Sequence, residues 1–130
     1  MSKLTKQQQA EAYWATCAEQ PAGAVCPVRT TLNVLGGKWK LLILSYLLAG
    51  PQRYGELRRL MPEVTEKMLI QELRELEADA IVERIVYQQV PPKVEYQLTE
   101  YGRQVQPMFT ELIRWGQSYR DRNRKLEEAA

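Results

Sequence analysis

Histidine is absent from this chain of 130 residues. That removes every Ser-His and Cys-His catalytic arrangement and every histidine-containing metal site. Cysteine occurs twice, at Cys17 and Cys26, too few for a zinc cage or a disulfide framework. No glycine-rich phosphate loop of either usual spacing is present. A membrane helix needs ~20 apolar residues, and the longest run, Leu41 to Ala49, is interrupted by Ser45 and Tyr46. The N-terminal residues are polar and hold no signal-peptide core, so the expected location is the cytoplasm, with no membrane partner. These absences close off the common enzyme chemistries. The expectation is no catalytic residue, no metal ligand and no cofactor.

What is present fits one globular domain: 45% hydrophobic and 26% charged residues. The net charge of +2 is unevenly spread, with five cations against two anions in residues 1–50, five against seven in 51–80 and eight against seven in 81–130. No block is strongly basic, so a nucleic-acid reading depends on where individual cations sit.

Ala10, Tyr13, Trp14 and Cys17 recur at helical spacing, and Pro21, Ala22 and Gly23 break that helix. A second helix starts near Cys26-Pro27, where proline suits the first helical position, and ends at Gly36-Gly37 after the apolar face Val28, Thr31, Leu32, Leu35. Residues 38–48 are apolar around most of the helix circumference, as in a central core helix stopped by Gly50-Pro51. Tyr54, Leu57 and Leu60 or Met61 line a short helix, Pro62 to Val64 make a turn, and Thr65 caps a helix to about Ala78 that buries Leu69, Leu73 and Leu76. The period then changes to two. Val82 and Val86 alternate against Glu83, Ile85 and Tyr87, and Val94, Tyr96 and Leu98 against Glu95 and Gln97, giving a β-hairpin with a stiff Pro91-Pro92 tip. Thr99 caps a last helical segment with Val105, Phe109, Leu112 and Trp115 or Gly116 on its apolar side, Pro107 kinks or divides it, and Arg120, Arg122, Arg124 and Lys125 form a solvated basic tail. The fold class is therefore mainly α with a small β-hairpin (α+β): a winged helix-turn-helix with an extra helix at each end.

Such a motif lays its second helix in the DNA major groove. At ~100° per residue, Lys67, Gln71 and Arg74 share the face opposite the leucine stripe. They offer a phosphate- or guanine-seeking cation, an adenine-reading amide and a guanidinium fork. Glu66 suits a cytosine amino group or the helix dipole. Lys93 at the rigid hairpin tip is a groove-probing cation, while Arg53, Arg58, Arg59 and Arg84 are candidates for phosphates. The same spacing also fits any amphipathic helix with its polar side in water, and on periodicity alone both readings stand. Cys26, at a helix N-cap, is placed where the dipole favours thiolate, with Arg29 one turn on. Cys17 reads as a packing residue. A thiol enzyme using Cys26 would lack both a base and a resolving cysteine at redox-motif spacing.

The motifs CPV at 26–28, LGGKWKLLIL at 35–44, LRRLMP at 57–62, EKMLIQELRELE at 66–77 and VPPKVEYQLTEYGR at 90–103 resemble the HxlR family of bacterial transcription regulators, relatives of the MarR-type winged-helix proteins. The resemblance implies a homodimer on a palindromic or pseudo-palindromic double-stranded DNA operator, with terminal helices at the dimer interface. It also implies that Lys67, Gln71 and Arg74 lie on the recognition helix and Lys93 at the wing tip. Cys26 coincides with the cysteine that thiol-sensing members use. The corresponding organisation is one domain over 1–130: a dimerisation helix in 1–23, a winged core in 24–98, and a C-terminal helix and tail in 99–130. Thr65, Glu66, Lys67, Gln71, Arg74, Lys93, Arg53 and Arg84 are the expected DNA-contacting set. Repression by promoter blocking is the expected outcome, with an oxidant acting at Cys26 as effector. A small ligand between subunits near Trp14, Trp39 or Trp115 is the alternative effector. The mild, locally anionic charge supports a rival reading as a winged-helix protein-interaction module.

Overall fold

A computed structural model of the chain describes residues 3–18 and 26–130. The expected break at Pro21 to Gly23, and the side chains of Tyr13, Trp14 and Cys17, lie outside the described residues. The chain forms two compact units, 1–37 and 38–130. In the first, α1 spans Lys6–Ala18 and α2 spans Pro27–Leu35. Cys26 is the N-cap of α2 in extended backbone, Pro27 opens the helix, and the Thr31 hydroxyl donates to the Pro27 carbonyl at 2.9 Å.

The second unit begins with α3, Lys40–Leu47, two residues later than the apolar pattern implies. Ile43, Leu44 and Leu47 are buried in its core, and Gly50, at φ 146°, turns the chain away. A short strand β1, Gln52–Arg53, leads into α4, Tyr54–Leu60. The Arg53 backbone N–H donates to the Glu56 carboxylate at 3.1 Å and so satisfies an open helix-end group. Met61, not Leu60, is the buried partner of Leu57. The turn to the next helix is closed by the Val64 N–H on the Met61 carbonyl at 3.2 Å. The Arg58 guanidinium also donates to the Val64 carbonyl, so Arg58 braces the turn rather than waiting for phosphate.

Helix α5, Glu66–Ala78, starts under Thr65, whose hydroxyl accepts from the Met68 N–H at 3.1 Å. Leu69, Leu73 and Leu76 are fully buried. At ~1.5–3 kcal/mol for each buried leucine, packing outweighs the ~0.3–1 kcal/mol of a charge at a helix end. The leucines therefore decide which face of α5 points outward. At its C-terminal end the Ile81 N–H reaches the Leu76 carbonyl and the Ala80 N–H the Glu77 carbonyl, both at 3.0 Å. This is a Schellman ending with Ala80 at φ 59°, where glycine is the usual residue.

Strands β2, Val82–Tyr87, and β3, Lys93–Leu98, pair antiparallel from Val82 opposite Leu98 to Tyr87 opposite Lys93. The expected hairpin is thus present, but it belongs to a three-stranded sheet of order β1-β3-β2, with Gln52 opposite Tyr96 and Arg53 opposite Glu95. Only its base is buried, at Val82 and Leu98. Val86, expected on the inner face, is 51% exposed because the hairpin runs out past the core.

The Thr99 hydroxyl donates to the Ala80 carbonyl at 2.6 Å and accepts the Gly102 N–H at 2.9 Å. A 3-10 turn, Gly102–Val105, then feeds α6, Gln106–Ala129. Pro107 sits in the first turn of α6, where it needs no N–H partner, and so neither kinks nor divides the helix. The expected basic tail is helical to Ala129, laced by Glu111–Arg114 at 3.0 Å and Asp121–Arg124 at 3.5 Å. Phe109 is buried. Trp115, expected on the apolar side of this segment, is 67% exposed and stacks on Tyr119 with ring centroids 5.3 Å apart.

Candidate nucleic-acid interface

Opposite the leucine stripe, α5 presents a groove of about 580 Å³ lined by Glu66, Lys67, Ile70, Gln71 and Arg74. Lys67, Gln71 and Arg74 are all exposed. Arg74 turns the corner into a second cleft of about 490 Å³, shared with Tyr54, Ile70, Glu77, Arg84 and Tyr96. Two guanidiniums and two tyrosines thus line one hollow between α5 and the hairpin. Tyr54 and Tyr96 were not singled out by sequence reasoning, because the strand and helix that carry them meet only in the folded chain.

The other candidates are placed differently. Thr65 is engaged in capping α5. Arg53 lies exposed on β1, opposite Glu95 in the sheet register, and lines neither groove. Lys93 is half-buried and folded back on its own strand, 3.1 Å from Glu95 and 4.8 Å from the centre of the Tyr87 ring. That contact holds the Glu95 carboxyl below the usual carboxylate range. The tip beyond it is uncharged, and Val90 there is fully exposed.

Sequence reasoning also missed Lys40. It stands on α3 with 8% of its surface exposed, and its ammonium lies 2.6 Å from Glu75 and 3.8 Å from Glu72 of α5. The hydrogen bond to Glu75 raises the Lys40 pKa against the opposing effect of burial, and the same bond lowers that of Glu75. Two of the four carboxylates on α5 are therefore compensated from behind, which explains how an anionic helix can still present cations outward. The signal was the second of two cations opening an apolar helix, which calls for a partner where the helix is buried.

Cys26 is half-buried at the α2 N-cap, and its carbonyl accepts the Thr30 N–H at 2.9 Å. No helix among the described residues is long and apolar enough to cross a membrane.

The model of the HxlR-like helix-turn-helix family matches residues 34–124. An HTH-type transcriptional regulator of Bacillus subtilis, YdeP, is 52% identical over 104 residues, covering 80% of this chain and 81% of its own. The crystal structure of an HTH-type regulator, YtcD, superposes with TM-score 0.72 and 54% identity over 75% of this chain and 99% of that one. The redox regulator HypR in its oxidised form superposes with TM-score 0.69 and 53% identity over 72% and 96%.

Proposed function

The chain belongs to the HxlR-like helix-turn-helix family of transcriptional regulators, and from that premise we propose that it acts as a homodimer reading a palindromic or pseudo-palindromic operator with α5. The observation that carries this reading is the single exposed groove holding Lys67, Gln71 and Arg74, with the leucine stripe buried behind it. Each protomer lays α5 in a major groove, with half-sites about one helical turn, ~34 Å, apart. Lys67 and Gln71 meet base edges. Arg74 and Arg84 grip phosphate from their common cleft, while Arg53 and Lys93 contact the flanking backbone. Thr65 serves by fixing the helix entry, and Glu66 by its place in the first turn. The exposed Ile113, Trp115, Tyr119 and Leu126 of α6 give a second copy an apolar surface to cover. Occupied operator blocks the promoter.

Binding of labelled operator tests the assignment. Lys67→Ala weakens it by about 1–3 kcal/mol, Arg74→Ala weakens cognate and altered operators alike, and unchanged binding in both removes α5 from the interface.

Regulation by oxidant at Cys26 is supported by its N-cap position and by the likeness to a redox regulator. Treatment with a quinone or peroxide changes operator binding of the wild type and leaves Cys26→Ser unaffected. An equal response in both makes the thiol structural and leaves the effector role to a ligand between subunits.

A further inference from the structure

Lys40 lies outside the groove, yet it is joined to it by two contacts on one carboxylate. Its ammonium meets Oε2 of Glu75 at 2.6 Å, while Oε1 of the same carboxylate accepts from Nε2 of Gln71 at 3.3 Å. A buried ammonium is tolerated only where a partner stays fixed beside it, so Lys40 and Glu75 hold one another in place. An ionised carboxylate only accepts hydrogen bonds. Glu75 therefore selects the NH₂ end of the Gln71 amide and turns the carbonyl end away. What remains on Gln71 is one N–H and one carbonyl oxygen, the pair that bidentate adenine recognition requires.

We infer that Lys40, though it touches no DNA, is a positioning residue for base specificity, acting through Glu75 to set the orientation of the Gln71 amide. The inference rests on Gln71 reading a base. Without Lys40 the carboxylate swings toward solvent, the amide rotates freely, and either of its ends can face the base edge.

The test measures, for the full-length protein, the binding preference among the four base pairs at every half-site position by competition with substituted operators. Gln71→Ala identifies the position that Gln71 reads. Lys40→Met and Glu75→Ala are expected to lower discrimination at that position by about fivefold or more. Discrimination elsewhere is retained, and Lys40→Arg restores the wild-type preference. Glu75 is 44% exposed, so Glu75→Ala carries the test if Lys40→Met does not fold. If Gln71→Ala relaxes one position while Lys40→Met and Glu75→Ala leave it sharp or weaken all sequences equally, the positioning role is overturned and the base-reading role of Gln71 stands. If Gln71→Ala relaxes no position, both fall.

Discussion

Substituting Arg84 with alanine has a consequence that can be worked out before it is measured. No ion pair among the described residues engages Arg74, Arg84 or Arg53, and Lys93 exchanges Glu95 for phosphate as the fourth backbone contact. Four cations in each protomer, eight in a homodimer, are then available to displace counterions. At ~0.9 per neutralised phosphate, the logarithm of affinity should fall with the logarithm of salt at a slope of about −7, roughly 10⁴-fold between 50 and 200 mM. Arg84→Ala removes one cation from each copy and brings the slope to about −5. It weakens cognate and altered operators alike, because a phosphate contact carries no sequence information. Fluorescence anisotropy of labelled operator across a salt series measures both slopes. A shift of only about 1 means that one copy binds. A wild-type slope near zero, or an Arg84→Ala slope equal to it, refutes the cleft as a phosphate site.

Two further outcomes follow from α5 itself. Thr65→Ala removes the acceptor for the Met68 N–H and lowers stability by about 1 kcal/mol, read as a lower urea midpoint; an unchanged midpoint means that water caps α5 equally well. The Glu75 carboxyl is held below its ordinary 4.5 by Lys40 first and Gln71 second. The stability it contributes is therefore full above 4.5 and lost as pH falls through the lower folded value, while that of Lys40, raised above 10.5, is full below 10.5 and lost as pH rises through its folded value. Glu75→Ala accordingly flattens both limbs of the midpoint-against-pH profile, and parallel profiles for the two proteins remove the pair from the account.

The parts of this fold that were legible in the sequence are those set by short-range period. Leu69, Leu73 and Leu76 declare α5 and, by opposition, the face bearing Lys67, Gln71 and Arg74. Pro27 and Thr65 mark where helices begin because each solves a problem of the first helical turn. The strand Gln52–Arg53 is too short to show a period, and it exists only because β3 offers it an edge. Val86 alternates correctly, yet alternation says nothing about where a core stops. The engagement of Lys93 with Glu95 was within reach of the sequence, since residues two apart share a strand face. The pairing of Lys40 with Glu75 was not, because thirty-four intervening residues must fold before the two meet. The run of cations after Arg120 looked like a tail because charge was weighed above the helix-forming residues around it.

Gly102 sits so close to the Ile81 carbonyl that a methyl group built on it would lie 2.1 Å from that oxygen, and beside it the Thr99 hydroxyl donates to the Ala80 carbonyl. The start of the C-terminal helical segment and the end of α5 consequently share one close-packed joint. A side chain at position 102 would have to push the Ile81 backbone aside, and with it the hydrogen bond that Ile81 gives to the last turn of α5 and the start of β2.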